Sequence, residues 1–179
     1  DVLAADLEAE RARALEDLAE VSERVAEARR TAAPELAAAV EARLGELAME
    51  RSRLEVAVEG DAGDDVTFLL AANPGSPLQP LAKVASGGEL ARTMLALRLV
   101  LTASPPTLVF DEVDAGIGGT AATAVGEALA RLGETTQVLV VTHLPQVAAA
   151  AHHQVQVRKE VVGESTRTTV EALAPDARV

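Results

Sequence analysis

Apolar residues recur at helical spacing through the opening stretch of the chain. Leu15, Leu18, Val21 and Val25 fall on one stripe of a helix predicted over residues 1–30, and Leu36, Val40, Leu44 and Leu47 form a second stripe. Pro34 has no amide proton and disfavours helix at its predecessor. The pattern therefore predicts that Thr31 to Pro34 ends or kinks one helix and starts another. Two antiparallel helices packed on each other satisfy this pattern, and so does the root of a coiled-coil stalk.

The period then shortens to two. Leu54, Val56 and Val58 alternate with polar residues, a Gly and Asp turn occupies Gly60 to Asp65, and Val66, Phe68 and Leu70 follow, which predicts a hairpin. Asn73 to Pro80 holds three prolines and a glycine and reads as an extended loop. Beyond it helix and strand alternate: Glu89 to Leu101 helical, Thr107 to Phe110 a short apolar strand, Thr120 to Leu132 helical, and Gln137 to Val141 a second apolar strand. Strands of this kind are typical of buried parallel sheets. Two β-branched runs between Gln154 and Leu173, on either side of Gly163 and Glu164, predict a closing hairpin. The expected organisation is a two-helix root over residues 1–49 and an α/β body over 50–179. That body is a mostly parallel sheet flanked by helices, with an antiparallel hairpin at its front.

Composition narrows the function classes. The chain has 179 residues and two Phe, with no Tyr or Trp, so its core is aliphatic. The absence of Cys excludes a disulfide framework and any thiolate metal site. No apolar run reaches the ~20 residues of a membrane span, and the expected setting is the cytoplasm, with no membrane partner. A net charge of −12 opposes attraction to phosphate, so a DNA-binding surface is expected elsewhere than on this chain. The chain begins without Met inside a helical pattern, which predicts a segment of a longer protein.

The strongest local signal is Thr107-Leu108-Val109-Phe110-Asp111-Glu112, an apolar strand that ends in two adjacent carboxylates. In open α/β sheets the C-terminal strand edge is where ligands bind. An Asp there can hold Mg2+, and the following Glu can orient and deprotonate an attacking water. Taken alone, Asp111 and Glu112 can equally cap a turn. Upstream, Ser86-Gly87-Gly88-Glu89 precedes a helix bearing Leu90, Met94, Leu97 and Leu101. Its bare glycines, hydroxyl and free helical amides suit a phosphate, although the same tetrapeptide is also a plain N-cap with its acid in the first turn. His143 follows the strand Gln137 to Val141 and precedes Pro145, so it is expected at the same sheet edge, as a phosphate contact or proton sensor. His152 and His153 are assigned no role.

The stretches Pro80 to Arg92, Val109 to Gly119 and Val141 to Ala148 carry these three elements, and in order and spacing they resemble the RecN family of SMC-like, ABC-type ATPases. The resemblance runs from about Met49 to Lys159. It implies the C-terminal lobe of an ABC/SMC-type, P-loop NTPase-like ATPase head acting in DNA double-strand-break repair. It also implies ATP and Mg2+ as ligands, a homodimer through ATP-bridged heads, and partners in the N-terminal half of the same head and in DNA. By the same resemblance Ser86, Gly87, Gly88 and Glu89 correspond to the signature motif, Asp111 to the Mg2+ residue of Walker B and Glu112 to the catalytic base. Asp114 corresponds to a D-loop residue that crosses the dimer interface, and His143 to the switch histidine. The helices before Met49 correspond to a returning coiled-coil strand. No G-x-x-x-x-G-K-[ST] loop is present: the two lysines, Lys83 and Lys159, do not follow glycine. The chain is therefore expected to turn over ATP poorly by itself.

Two other classes compete. Ser86, Asp111 and His143 fall in the chain order of an α/β-hydrolase triad, but Val84 and a proline-rich approach do not form the G-x-S-x-G elbow. A non-catalytic coiled-coil dimerisation or adaptor module fits the composition, but gives no reason for paired acids in register with Ser86 and His143.

Overall fold

The computed structural model describes residues 2–83, 86–101, 105–162 and 165–178. The expected turn at Gly163 and Glu164 lies outside them. The chain divides into two compact units, one of residues 1–45 and 50–85, the other of residues 46–49 and 86–179.

In the first unit a single helix replaces the expected pair. Helix α1 runs unbroken over Val2–Glu46 with Pro34 inside it. The two-helix root is therefore corrected to one helix. Proline in a helix interior forfeits one hydrogen bond and costs about 3 kcal/mol. Here it sits among Ala32, Ala33, Ala37, Ala38 and Ala39, the residue type with the highest helix propensity, and next to a buried face that includes Ala33, Ala37 and Val40. The two predicted stripes differ in fate: Val40 and Leu44 are buried, whereas Leu15, Leu18 and Val21 are exposed.

Strands β1 (Arg53–Glu59) and β2 (Asp65–Ala71) form the expected antiparallel hairpin, with Leu54 opposite Leu70 and Val58 opposite Val66. The predicted loop before the glycine-rich stretch gains a short edge strand, β3 (Gln79–Pro80), paired with Leu69 and Leu70. An edge position tolerates the missing amide of Pro80. Helix α1 is fastened to the hairpin by polar contacts. Arg29 Nη1 donates to the Gly63 carbonyl and Arg30 Nη2 to the Gly60 carbonyl, both at 2.7 Å, and the Leu54 amide donates to Glu41 Oε1 at 2.8 Å. Gly63 is required twice over, by its φ of +59° and because a Cβ there would lie 2.8 Å from Ala26 Cα.

In the second unit helix α2 (Gly87–Val100) precedes strand β4 (Thr107–Phe110), helix α3 (Gly119–Gly133) and strand β5 (Gln137–Val140). β4 and β5 pair in parallel, Val109 opposite Leu139 and Phe110 opposite Val140, with α3 as the crossover. The parallel part of the fold is these two strands; the other strands of the described residues are antiparallel. The α3 face holding Ala122, Val125, Ala128, Leu129 and Leu132 is buried with Leu95 and Ala96 of α2 and Phe110 of β4, an aliphatic core as the composition implied. A short helix that the periodicity does not predict, α4 (Pro145–Ala149), starts with its proline in the first turn, where no amide is needed. Strands β6 (Val155–Val162) and β7 (Ser165–Ala172) form the closing hairpin, with Val157 opposite Val170.

Candidate functional site

Both carboxylates of Asp111-Glu112 stand where β4 ends, at the C-terminal edge of the parallel pair. Asp111 is exposed, and its Oδ1 accepts the Glu112 amide at 3.0 Å. Glu112 has a φ of +58°, a left-handed conformation that costs a non-glycine residue on the order of 1–3 kcal/mol and is concentrated at functional sites. The next turn is closed by the Ala115 amide bonding the Glu112 carbonyl at 3.0 Å.

The start of α2 comes against this edge. Ser86 is its N-cap, with Oγ accepting the Glu89 amide at 3.5 Å, and Glu89 adds negative charge in the first turn. A Cβ on Gly87 would fall on Glu112 Oε2, and one on Gly88 would lie 2.8 Å from the Ala115 carbonyl oxygen. The two glycines thus give the carboxylate and the loop after it the room to reach the helix start. An open groove of about 400 Å³ runs from here along α2 and β4, lined by Gly87, Leu90, Met94, Val109, Asp111 and Glu112 among others.

His143 lies just beyond β5, with its side chain three-quarters exposed. Its partner is Asp114: Nδ1 stands 3.5 Å from Asp114 Oδ2, and the same oxygen accepts the His143 amide at 3.3 Å and the Thr142 hydroxyl. Asp114, expected by resemblance to cross a dimer interface, lies in the turn that follows Glu112. Its side chain is 2% exposed and engaged within its own chain, because Thr142 and His143 supply the donors a buried carboxylate requires. Among the described residues no hydrogen bond joins Ser86 to His143, and none joins His143 to Glu112. The hydrolase-like order of Ser86, Asp111 and His143 therefore has no geometric counterpart.

Sequence reasoning passed over Arg92 and Thr142. Arg92 is buried on α2 and donates from Nη1 to the carbonyls of Val113 at 3.4 Å and Ala115 at 3.0 Å. Burial pushes its guanidinium below the ordinary arginine value, and neighbouring Glu89 opposes that shift. A cation one turn beyond Gly88, on the helix face that holds Leu95 and Ala96, was the available signal.

For Mg2+, the donor set fits a shared rather than a dedicated site. Among the described residues no cluster of three or more His, Cys, Asp or Glu could cage a metal. Asp111 offers an exposed carboxylate, and Mg2+ commonly takes one or two carboxylates together with phosphate oxygens and water.

No family model matches the chain. It is 46% identical over 156 residues to the DNA repair protein RecN of Vibrio cholerae, covering 82% of this chain and 28% of that protein. With the DNA repair protein RecN of Deinococcus radiodurans the identity is 47% over 169 residues, covering 91% and 30%. The chain thus spans about three tenths of the curated relatives it matches. Among solved structures, the Smc head domain of Pyrococcus furiosus with an extended coiled coil, bound to the C-terminal domain of ScpA, matches with a TM-score of 0.62 at 18% identity, over 94% of this chain and 42% of that one. A structure from the structural biochemistry of ATP-driven dimerization and DNA-stimulated activation of SMC ATPases matches with a TM-score of 0.52 at 18% identity, over 83% of this chain and 89% of that one. The α/β fold is that of an SMC head, and by sequence the chain belongs to the RecN family of DNA repair proteins, as a segment of it.

Proposed function

We propose that this chain is the C-terminal half of an SMC-like ATPase head, supplying Walker B and switch elements to the ATP site of its own head and the signature element to that of an opposing head. The observation that carries this reading is the edge where β4 and β5 end: Asp111 and Glu112 close one strand and His143 follows the other, so the carboxylates that can hold Mg2+ and activate water stand beside the histidine that can meet the same phosphate. The free amides at the start of α2 and the Ser86 hydroxyl would face the γ-phosphate of ATP held by an opposing head. Asp111 would hold Mg2+, which neutralises charge on the β- and γ-phosphate oxygens. Glu112 would take a proton from the attacking water as its oxygen bonds the γ-phosphorus and the bond to the bridging oxygen breaks, releasing ADP and phosphate. His143, exposed beside that edge, would sense the γ-phosphate.

The P-loop comes from the N-terminal half of the same head, in keeping with a chain that matches three tenths of its relatives and holds no such loop of its own. The exposed Leu7, Leu15 and Leu18 of α1 fit the coiled-coil root of that head. Two heads bridged by ATP, opening on hydrolysis, would hold DNA ends during double-strand-break repair. The work takes place in the cytoplasm at the nucleoid; no helix of the described residues is long and apolar enough to cross a membrane.

The test is steady-state ATP hydrolysis by this chain alone and after mixing with the P-loop-bearing half. Activity confined to the mixture supports a split site. An inactive mixture of two folded, associated halves would remove the assignment in favour of a non-catalytic dimerisation or adaptor module.

A further inference from the structure

A buried guanidinium is costly unless its donors are used, and Arg92 is the case in point: 6% exposed, with Nε lacking any hydrogen-bond partner. What Arg92 holds instead is backbone. Its Nη1 reaches the carbonyls of Val113 and Ala115, which flank Asp114 on either side. The Asp114 carboxylate in turn accepts the Thr142 hydroxyl and the His143 amide, and Thr142 Oγ1 accepts the Leu144 amide at 3.0 Å. Gly88 leaves space for this clasp, since a Cβ there would crowd both the Ala115 carbonyl at 2.8 Å and Arg92 Nη1 at 3.2 Å. An unbroken set of contacts therefore leads from the start of α2, through the loop after Glu112, to the exit of β5.

We propose that Arg92 is a positioning residue that, through Asp114, sets His143 relative to the Ser86-Gly87-Gly88 turn within one chain. This rests on reading the site as an ATPase site. It makes Asp114 the middle of an internal relay, and the state of the helix start can be passed to His143 without any contact from a second head. A lysine at 92 keeps the charge but presents a compact ammonium in place of the planar fork that spans two carbonyls.

The experiment uses a full-length polypeptide carrying this chain together with a P-loop half, as wild type, Arg92→Lys, His143→Gln and the double variant. Two readouts are taken: amide hydrogen exchange without nucleotide, and steady-state ATP turnover. With Arg92→Lys, exchange at His143 and Leu144 rises about tenfold while that of β1 and β2 stays as in the wild type, and kcat falls about tenfold with KM for ATP unchanged. Adding Arg92→Lys to His143→Gln costs nothing further in kcat, because both act through the same imidazole. Unchanged exchange at His143 and Leu144, exchange raised uniformly across residues 86–178, or kcat losses that multiply in the double variant would each overturn the relay. If His143→Gln and Glu112→Gln both turn over ATP like the wild type, the ATPase reading has failed, and the exchange result alone decides whether Arg92 sets His143.

Discussion

The two longer antiparallel hairpins are built on the same alternation and end in opposite surroundings. In β1 and β2 the facing pair Leu54 and Leu70 is 5% and 2% exposed; in β6 and β7 the facing pair Val157 and Val170 is 60% and 68% exposed. Alternation decides which strands pair and which side chains share a face, but not what covers that face. For the first hairpin the cover lies in the same unit: small residues of α1, Ala33 and Ala37, line a groove with Leu54 and Val56, and Arg29 and Arg30 hold the turn. The second hairpin leaves Val155, Val157, Val161 and Val170 bare among the described residues.

That contrast can be broken by substitution, with urea unfolding of this chain followed by far-UV circular dichroism, since there is no Trp or Tyr to report on packing. Leu54→Ala should have the largest effect, a loss of about 2–5 kcal/mol, as for a buried leucine that leaves a cavity. A loss below about 1 kcal/mol would mean that α1 does not seal the hairpin. Next, Gly63→Ala and Gly75→Ala should separate strain from crowding. Both glycines have positive φ, at +59° and +82°, but only Gly63 faces Ala26, whereas a Cβ on Gly75 meets open space. Gly63→Ala should be the worse by about 1–3 kcal/mol, the usual cost of overpacking; equal losses would remove the helix contact from the account. The smallest effect belongs to the bare hairpin: Val157→Ala should shift stability by less than about 0.5 kcal/mol. A loss comparable to Leu54→Ala would show that the valine face is covered in solution.

The same contrast marks how far the sequence could be read. Helices α2 and α3 and strands β4 and β5 lie within a residue or two of their predicted bounds, because each joins strong periodicity to a sharp end: Ser86 as N-cap, Asp111 closing β4, Pro145 after β5. Pro34 departs from its local signal, because the alanines around it and the burial of Ala33, Ala37 and Val40 offset the cost of a proline inside α1. At the site, the residue types of Gly87, Asp111 and Glu112, and the standing of the two carboxylates at the end of β4, were legible. The left-handed backbone of Glu112 was not, and neither was the work of Arg92, whose partners are carbonyls that any residue could supply. The intrachain partners of Asp114 were likewise hidden, since its donors, the Thr142 hydroxyl and the His143 amide, lie nearly thirty residues away.

The central claim, that Ser86 to Gly88 of one head closes on ATP held by another and that Glu112 reopens the pair by hydrolysis, is tested most directly by the mass of the full-length protein in solution. Light scattering would be recorded with and without ATP and Mg2+ for the wild type, Glu112→Gln and Ser86→Arg. General-base removal slows turnover by about 10²–10⁴-fold, so Glu112→Gln should gather in an ATP-dependent dimer. Ser86→Arg should remain in its nucleotide-free state at every ATP concentration. A mass that does not respond to ATP in Glu112→Gln, or a Ser86→Arg protein that dimerises as readily as the wild type, would contradict the account.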